Sequence, residues 1–296
     1  MLLATITKCL RIAPRASGAL ALALATLMCG IPYAIGGIAN TRHNLSSTGN
    51  VNNVRATAGT DEICVFCHTP HAAVAAAPAP LWNKSVPAAG GYTTYATLNS
   101  TTIDGTFTTV GSVSLACLSC HDGTQAMDNI INAPGSGGYN ATGGGALGLS
   151  YTWSSGSVLG RVDIDGKMTN AATTLTMLGT DLSNDHPIGI QYCGGGPTST
   201  APATACKGAI DFKAPSNATI NGNVVWWVDT AVGVANTREK SDIMLYSRAF
   251  GAATSPSVEC ASCHDPHVEG GIGNAGATFL RVSNTGSGVC LSCHIK

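Results

Sequence analysis

The sequence predicts a chain of mostly irregular structure, with short helices at four cysteine-rich segments and a few short β-strands between them. Three observations predict it. Charged residues are 10% and aromatics 5% of the 296 residues, too few large side chains for a thick conventional core. Gly, Ala, Ser and Thr dominate stretches such as Pro134 to Ser157, a composition poor in helix formers. Twelve cysteines imply that something other than apolar packing organises the chain.

The N-terminal segment reads as a secretory signal. Lys8, Arg11 and Arg15 form a basic start, Ala16 to Cys29 is an apolar run, and Gly37-Ile38-Ala39 offers small residues for cleavage. A retained membrane anchor is the alternative, but the apolar core is shorter than the roughly 20 residues a spanning helix needs, and Pro32 follows closely. Residues 1–39 are therefore assigned to the signal, with no membrane span after cleavage and a mature chain starting near Asn40. Large Leu27 and Met28 argue against a lipid anchor on Cys29. Cleavage removes three of 15 basic residues and none of 16 acidic ones, leaving a formal charge of −4. No basic stripe exists to track a phosphate backbone, which excludes nucleic acid as a partner.

One motif occurs four times: Cys64-Val65-Phe66-Cys67-His68, Cys117-Leu118-Ser119-Cys120-His121, Cys260-Ala261-Ser262-Cys263-His264 and Cys290-Leu291-Ser292-Cys293-His294. At this chain's own Cys and His frequencies, chance yields about 0.01 such matches over the whole length. Two thiols three positions apart form thioethers to the two vinyl groups of one haem, and the adjoining histidine reaches the iron from one face. Each motif is thus an attachment site plus one ligand, and the chain is expected to carry four covalently bound haem c groups. Zinc ribbons and thioredoxin-like sites also use Cys-x-x-Cys, but neither requires a histidine directly after the second cysteine. Export fits, because c-type haems are attached outside the cytoplasm.

Eight histidines less the four proximal ligands His68, His121, His264 and His294 leave His43, His71, His186 and His267 for the opposite faces. Four irons meet four spare imidazoles. Methionine is the other usual sixth ligand, yet Met127, Met168, Met177 and Met244 do not recur at a fixed offset from the motifs. Two of the histidines do: His68-Thr69-Pro70-His71 is matched by His264-Asp265-Pro266-His267, and each is followed by a Cys-Leu-Ser-Cys-His. His43 opens the first copy and His186 the second, so the chain reads as a duplicated two-haem unit, residues 40–150 and 151–296, forming one haem-organised body. Three residues of backbone cannot wrap His71 to the far side of the iron bound by His68. His71 should therefore serve a neighbouring haem, which makes the expected fold a chain wrapped around a closely spaced haem array.

Between motifs, Thr106 to Leu115 and Asn223 to Asp229 read as β-rich. Val224 to Val228 is a strand packed on a porphyrin or, as the plainer reading, a buried strand. Cys193 and Cys206 remain after the haem sites and should close a disulfide in an oxidising compartment; free or intersubunit thiols are the alternative. Arg161 to Lys167, with Asp163 and Asp165, reads as a solvated turn, calcium being the alternative.

The haem-bearing segments resemble the doubled-CXXCH multihaem c-type cytochromes of metal-reducing and related anaerobic bacteria. The likeness is carried by Thr41 to Ser46, Asp61 to His71, Asp242 to Tyr246 and Val258 to His267. Within that family, four haems on a secreted chain of this size are similar to the outer-surface tetrahaem cytochromes that polymerise into conductive extracellular filaments. The resemblance implies a cell-surface or extracellular location, with the periplasm as the alternative, and electron-transfer proteins or extracellular acceptors as partners. It also implies a homopolymer, with His43 near the mature N-terminus completing a haem of the neighbouring subunit; the alternative is that His43 binds an iron of its own chain.

An iron with two imidazoles has no open coordination position and changes only its charge, so the expected function is electron carriage in anaerobic respiration and not enzymatic catalysis. The alternatives are a monomeric periplasmic carrier and a multihaem reductase of nitrite or a sulfur oxyanion. A reductase requires a haem lacking a distal ligand, or lysine in place of a motif histidine, and the sequence shows neither.

Overall fold

Strand-forming residues concentrate between Ile190 and Val258, where the chain folds into a five-stranded antiparallel sheet. The structure is a computed structural model that describes residues 37–51, 53–74, 79–135, 137–143, 149–154, 161–170, 176–230, 232–268 and 279–295. Residues 1–36, with most of the expected signal, lie outside the described residues. The sheet contains β3 (Ile190–Gln191), β4 (Ser216–Ile220), β5 (Asn223–Val228), β6 (Ile243–Phe250) and β7 (Ala253–Val258), in the order β3-β7-β6-β5-β4. A second, two-stranded sheet pairs β1 (Arg55–Ala58) with β2 (Thr152–Ser154). Residues 37–296 form one compact unit.

This sheet-rich architecture corrects the expectation of a mostly irregular chain wrapped around a haem array. The physical reason lies in the strands' composition. β7 reads Ala-Thr-Ser-Pro-Ser-Val and buries Ser255, Pro256 and Ser257, so it has no apolar alternation to reveal it. Ladder hydrogen bonds to β6 satisfy its backbone, and register is set by a two-residue turn at Gly251-Ala252 between paired Phe250 and Ala253. The β4–β5 turn is Asn221-Gly222, with φ of 49° and 78°, the left-handed pair that a tight antiparallel hairpin requires.

β5 falls within the segment expected to be β-rich. Val224, Trp226 and Val228 alternate onto one face, as a period of two dictates, and pack with Ile243, Leu245, Tyr192 and the Cys193–Cys206 pair. Cys293 of the fourth motif packs against this same cluster. The core thus abuts a haem motif.

Three helices are described: α1 (Ser112–His121), α2 (Cys260–Cys263) and α3 (Gly288–Cys293). α1 corrects the strand reading of Thr106 to Leu115. Only its first part is extended, with Thr108 N bonded to Gly189 O at 2.8 Å and Gln191 N to Thr106 O at 2.8 Å. From Ser112 the chain is helical, because the second Cys-x-x-Cys needs a helical turn and that turn propagates backward over residues of neutral helix propensity.

Candidate haem-binding site

Every Cys-x-x-Cys-His segment makes a helical turn. His68 N bonds to Cys64 O at 2.8 Å, His264 N to Cys260 O at 3.2 Å and His294 N to Cys290 O at 2.9 Å, while His121 ends α1. A helical turn sets thiols at i and i+3 on one face, the spacing that two vinyl groups of one ring require. After three of the four turns the chain straightens, and the histidine enters an isolated antiparallel bridge: His68 with Trp82, His264 with Leu280 and His294 with Phe212. The same hydrogen bond recurs each time, from Asn83 N to Cys67 O at 2.9 Å, Arg281 N to Cys263 O at 2.8 Å and Lys213 N to Cys293 O at 2.8 Å. A bulky apolar residue is thereby set opposite each of these imidazoles.

Several imidazoles have Nδ1 committed to an oxygen. His68 Nδ1 lies 2.7 Å from Pro80 O and His121 Nδ1 2.7 Å from Thr176 O. A carbonyl only accepts, so Nδ1 carries the proton and Nε2 keeps the lone pair that a metal needs. His186 Nδ1 meets Pro187 O at 3.1 Å, and His267 Nδ1 meets Asp265 Oδ1 at 3.3 Å. Burial raises the Asp265 carboxyl, but hydrogen bonds from His267 and the charge of Arg281 outweigh it and hold the group at about 2. Two of the imidazoles are disfavoured as cations. Burial, with repulsion from His121, His267 and His264, brings His43 down to about 3. Burial likewise lowers His121, against its bond to Thr176 and the charge of Asp122.

Two pairs of rings stand out by their spacing. The ring centres of His68 and His267 are 6.1 Å apart with planes at 23°, and those of His43 and His121 are 6.2 Å apart with planes at 73°. Each pair joins one motif histidine to one spare histidine. Two imidazole nitrogens bonded to one metal at about 2 Å, each about 1.1 Å from its own ring centre, put the centres about 6.2 Å apart. His43 also stacks on Phe279 at 4.3 Å and 8°. That contact was not read from the sequence; Phe279 and Leu81 each precede the residue that bridges the motif histidine and share left-handed φ values of 53° and 55°. His294 lies 4.6 Å from the Phe212 ring. His71 and His186 are exposed, and the structure brings neither beside a second imidazole among the described residues.

The eight motif cysteines stay out of disulfides, whereas Cys193 and Cys206 are joined, with S–S 2.01 Å and Cα–Cα 5.5 Å. Burial pushes the Cys67 thiol up to about 12, helped by neighbouring Cys120. The Cys117 thiol is raised by a hydrogen bond to Cys260, across the junction of the second and third motifs. Burial carries Cys293 up to about 12, with Cys263 of the third motif beside it. Successive motifs therefore adjoin, first to second, second to third and third to fourth, and the His68–His267 pair brings the first beside the third as well.

A cavity of about 530 Å³ opens beside His267, lined by Trp226, Leu245, Tyr246, Lys240 and Arg281 among others. Buried Trp226 Nε1 has no protein acceptor, and neither has Trp82 Nε1, whose ring stands 6.0 Å from His68. Indole N–H groups normally find a partner when buried. Haem carboxylates are acceptors of the right kind, and Lys240 supplies complementary charge, Arg281 being paired with Asp265. Ring spacing, imidazole tautomers, paired thiols and orphaned donors all fit haem.

Among the described residues no three His, Cys, Asp or Glu side chains converge as a metal held by protein alone requires; a haem iron takes only two. At the turn weighed for calcium, Asp163 Oδ1 accepts from Asp165 N at 3.0 Å and Lys167 N at 2.8 Å, an ordinary turn-stabilising arrangement. Comparison with known proteins finds no matching family model, no matching characterised protein and no matching solved structure.

Proposed function

We propose that this chain is an exported tetrahaem c-type cytochrome that carries electrons to other redox proteins or to an extracellular acceptor. The observation that carries the reading is the spacing of His68 from His267 and of His43 from His121, 6.1 and 6.2 Å between ring centres. His68 with His267 and His43 with His121 would each hold a haem iron between them, and haem bound there would supply one-electron exchange.

The remaining work belongs to the chain. The cysteine pairs fix each ring to a helical turn. Pro80 O and Thr176 O hold His68 and His121 in the ligating tautomer, and such outer partners raise ligand basicity. Lys240, exposed at the cavity beside His267, would offer a counter-charge to a carboxylate there. Adjacency of each motif to the next supports electron passage between them.

The resemblance of the motif segments supports assembly into a homopolymer at the cell surface. The position of His43 supports a refinement. Its ring faces His121 of its own chain, which favours ligation within one subunit over donation to a neighbour, so joints between subunits would be made by other contacts.

Expression in a host able to attach c-type haem tests the reading. The expected product is an exported chain whose denatured mass carries four haem increments and whose oxidised spectrum is entirely low-spin. A chain with no covalent haem would refute it.

A further inference from the structure

We infer that the first and third motifs exchange distal ligands, His267 serving the iron of His68 and His71 the iron of His264, while each half's opening histidine serves its own Cys-Leu-Ser-Cys-His. This rests on the tetrahaem reading. It is argued from the two observed pairs and the internal duplication.

The duplication maps His43 onto His186, the first motif onto the third, His71 onto His267 and the second motif onto the fourth. It is present in the backbone as well as the sequence. His68 and His264 enter equivalent bridges, with Trp82 and Leu280, and the residues before those partners, Leu81 and Phe279, share left-handed φ values of 55° and 53°. Applying this correspondence to the pair His68 with His267 yields His264 with His71. Applied to His43 with His121, it yields His186 with His294. The four pairs use each of the eight histidines once, and no other assignment keeps both observed pairs and the correspondence together.

Geometry allows the exchange. His71 follows His68, and His267 follows His264, by three positions, a span of at most about 10 Å. A chain that short cannot circle one haem, but it does bridge two neighbouring ones. His71 and His186 are exposed, so no core packing has to break for either ring to reach an iron. Exchange in both directions would clamp the first and third haems together.

The test is a set of paired substitutions read by low-temperature electron paramagnetic resonance, which separates high-spin from low-spin ferric haem. His71→Ala alone should convert one haem in four to high spin. In a Cys260→Ser/Cys263→Ser background, carrying three haems by mass, His71→Ala should add no high-spin signal, because its iron is already gone. His267→Ala should likewise be silent in a Cys64→Ser/Cys67→Ser background. A new high-spin haem in either background overturns the pairing while leaving the tetrahaem reading intact. A wild-type chain without covalent haem sinks both. If a three-haem chain fails to fold, a structure of the four-haem protein decides: His71 Nε2 bonded to the iron attached through Cys260 and Cys263 is expected, and bonding to any other iron overturns the exchange.

Discussion

The hydroxyl of Ser114 donates a 2.6 Å hydrogen bond to the buried carboxylate of Glu259, tying the helix of the second motif to the cap of the third. The same hydroxyl accepts from Cys260 N at 3.1 Å. Glu259 caps α2 in a reciprocal arrangement with Ser262 and receives Arg248 Nη1 at 2.6 Å. One acidic residue therefore joins two attachment sites to the sheet.

Glu259→Ala strands the largely buried Arg248 guanidinium without its counter-charge and removes the cap. Loss of one partner of a buried pair costs about 3–5 kcal/mol. Urea denaturation of the purified variant should show a loss of that order, with Glu259→Gln intermediate because it keeps a hydrogen-bonding group facing Ser114. A change under about 1 kcal/mol for the alanine variant would show that the contact is dispensable.

Cys193 and Cys206 are 13 positions apart in sequence and both sit in the core under the sheet. Closing a loop of that size removes unfolded-state entropy worth about 3 kcal/mol. The Cys193→Ala/Cys206→Ala variant should melt at lower temperature while retaining the wild-type haem count by mass. Loss of haem would assign the pair to an attachment site instead.

In the chain before haem attachment, where no iron holds the ring, the pH dependence is set in part by His43. Its folded-state proton affinity is depressed from 6.5 to about 3, so protonation favours the unfolded chain. The stabilisation is fully present above pH 6.5 and is lost progressively as pH falls from 6.5 toward 3. Thermal midpoints measured across that window should drop with acidification, and His43→Gln should flatten the slope. An equal slope in the variant would place the acid sensitivity elsewhere.

His267→Met replaces an imidazole by a thioether in one ligand pair. His/Met ligation sits at higher potential than bis-histidine ligation. A spectroelectrochemical titration should find one haem shifted upward and the others little changed, whereas four unaltered potentials would exclude His267 as a ligand.

Much of the candidate site was legible because its chemistry is local. Two thiols at i and i+3 with a histidine beside them need only one helical turn, which the sequence itself encodes. The count of spare histidines, the duplication and the pairing of Cys193 with Cys206 likewise needed no three-dimensional information. So did the β5 segment, whose valines and tryptophans carry a strong strand signal.

Tertiary structure alone decided the rest. β7 pairs through its backbone and buries serines, so no periodicity announced it, and the sheet it completes went unforeseen. Glu259, remarked in the sequence only as part of a resemblance, matters because folding sets Ser114 and Arg248 against it. His43 lies close to His121 and His267 close to His68 only after distant segments meet. The division has one physical cause: motif geometry is fixed by covalent spacing and a single turn, whereas strand register and ligand pairing depend on contacts between residues far apart along the chain, which spacing along it does not specify.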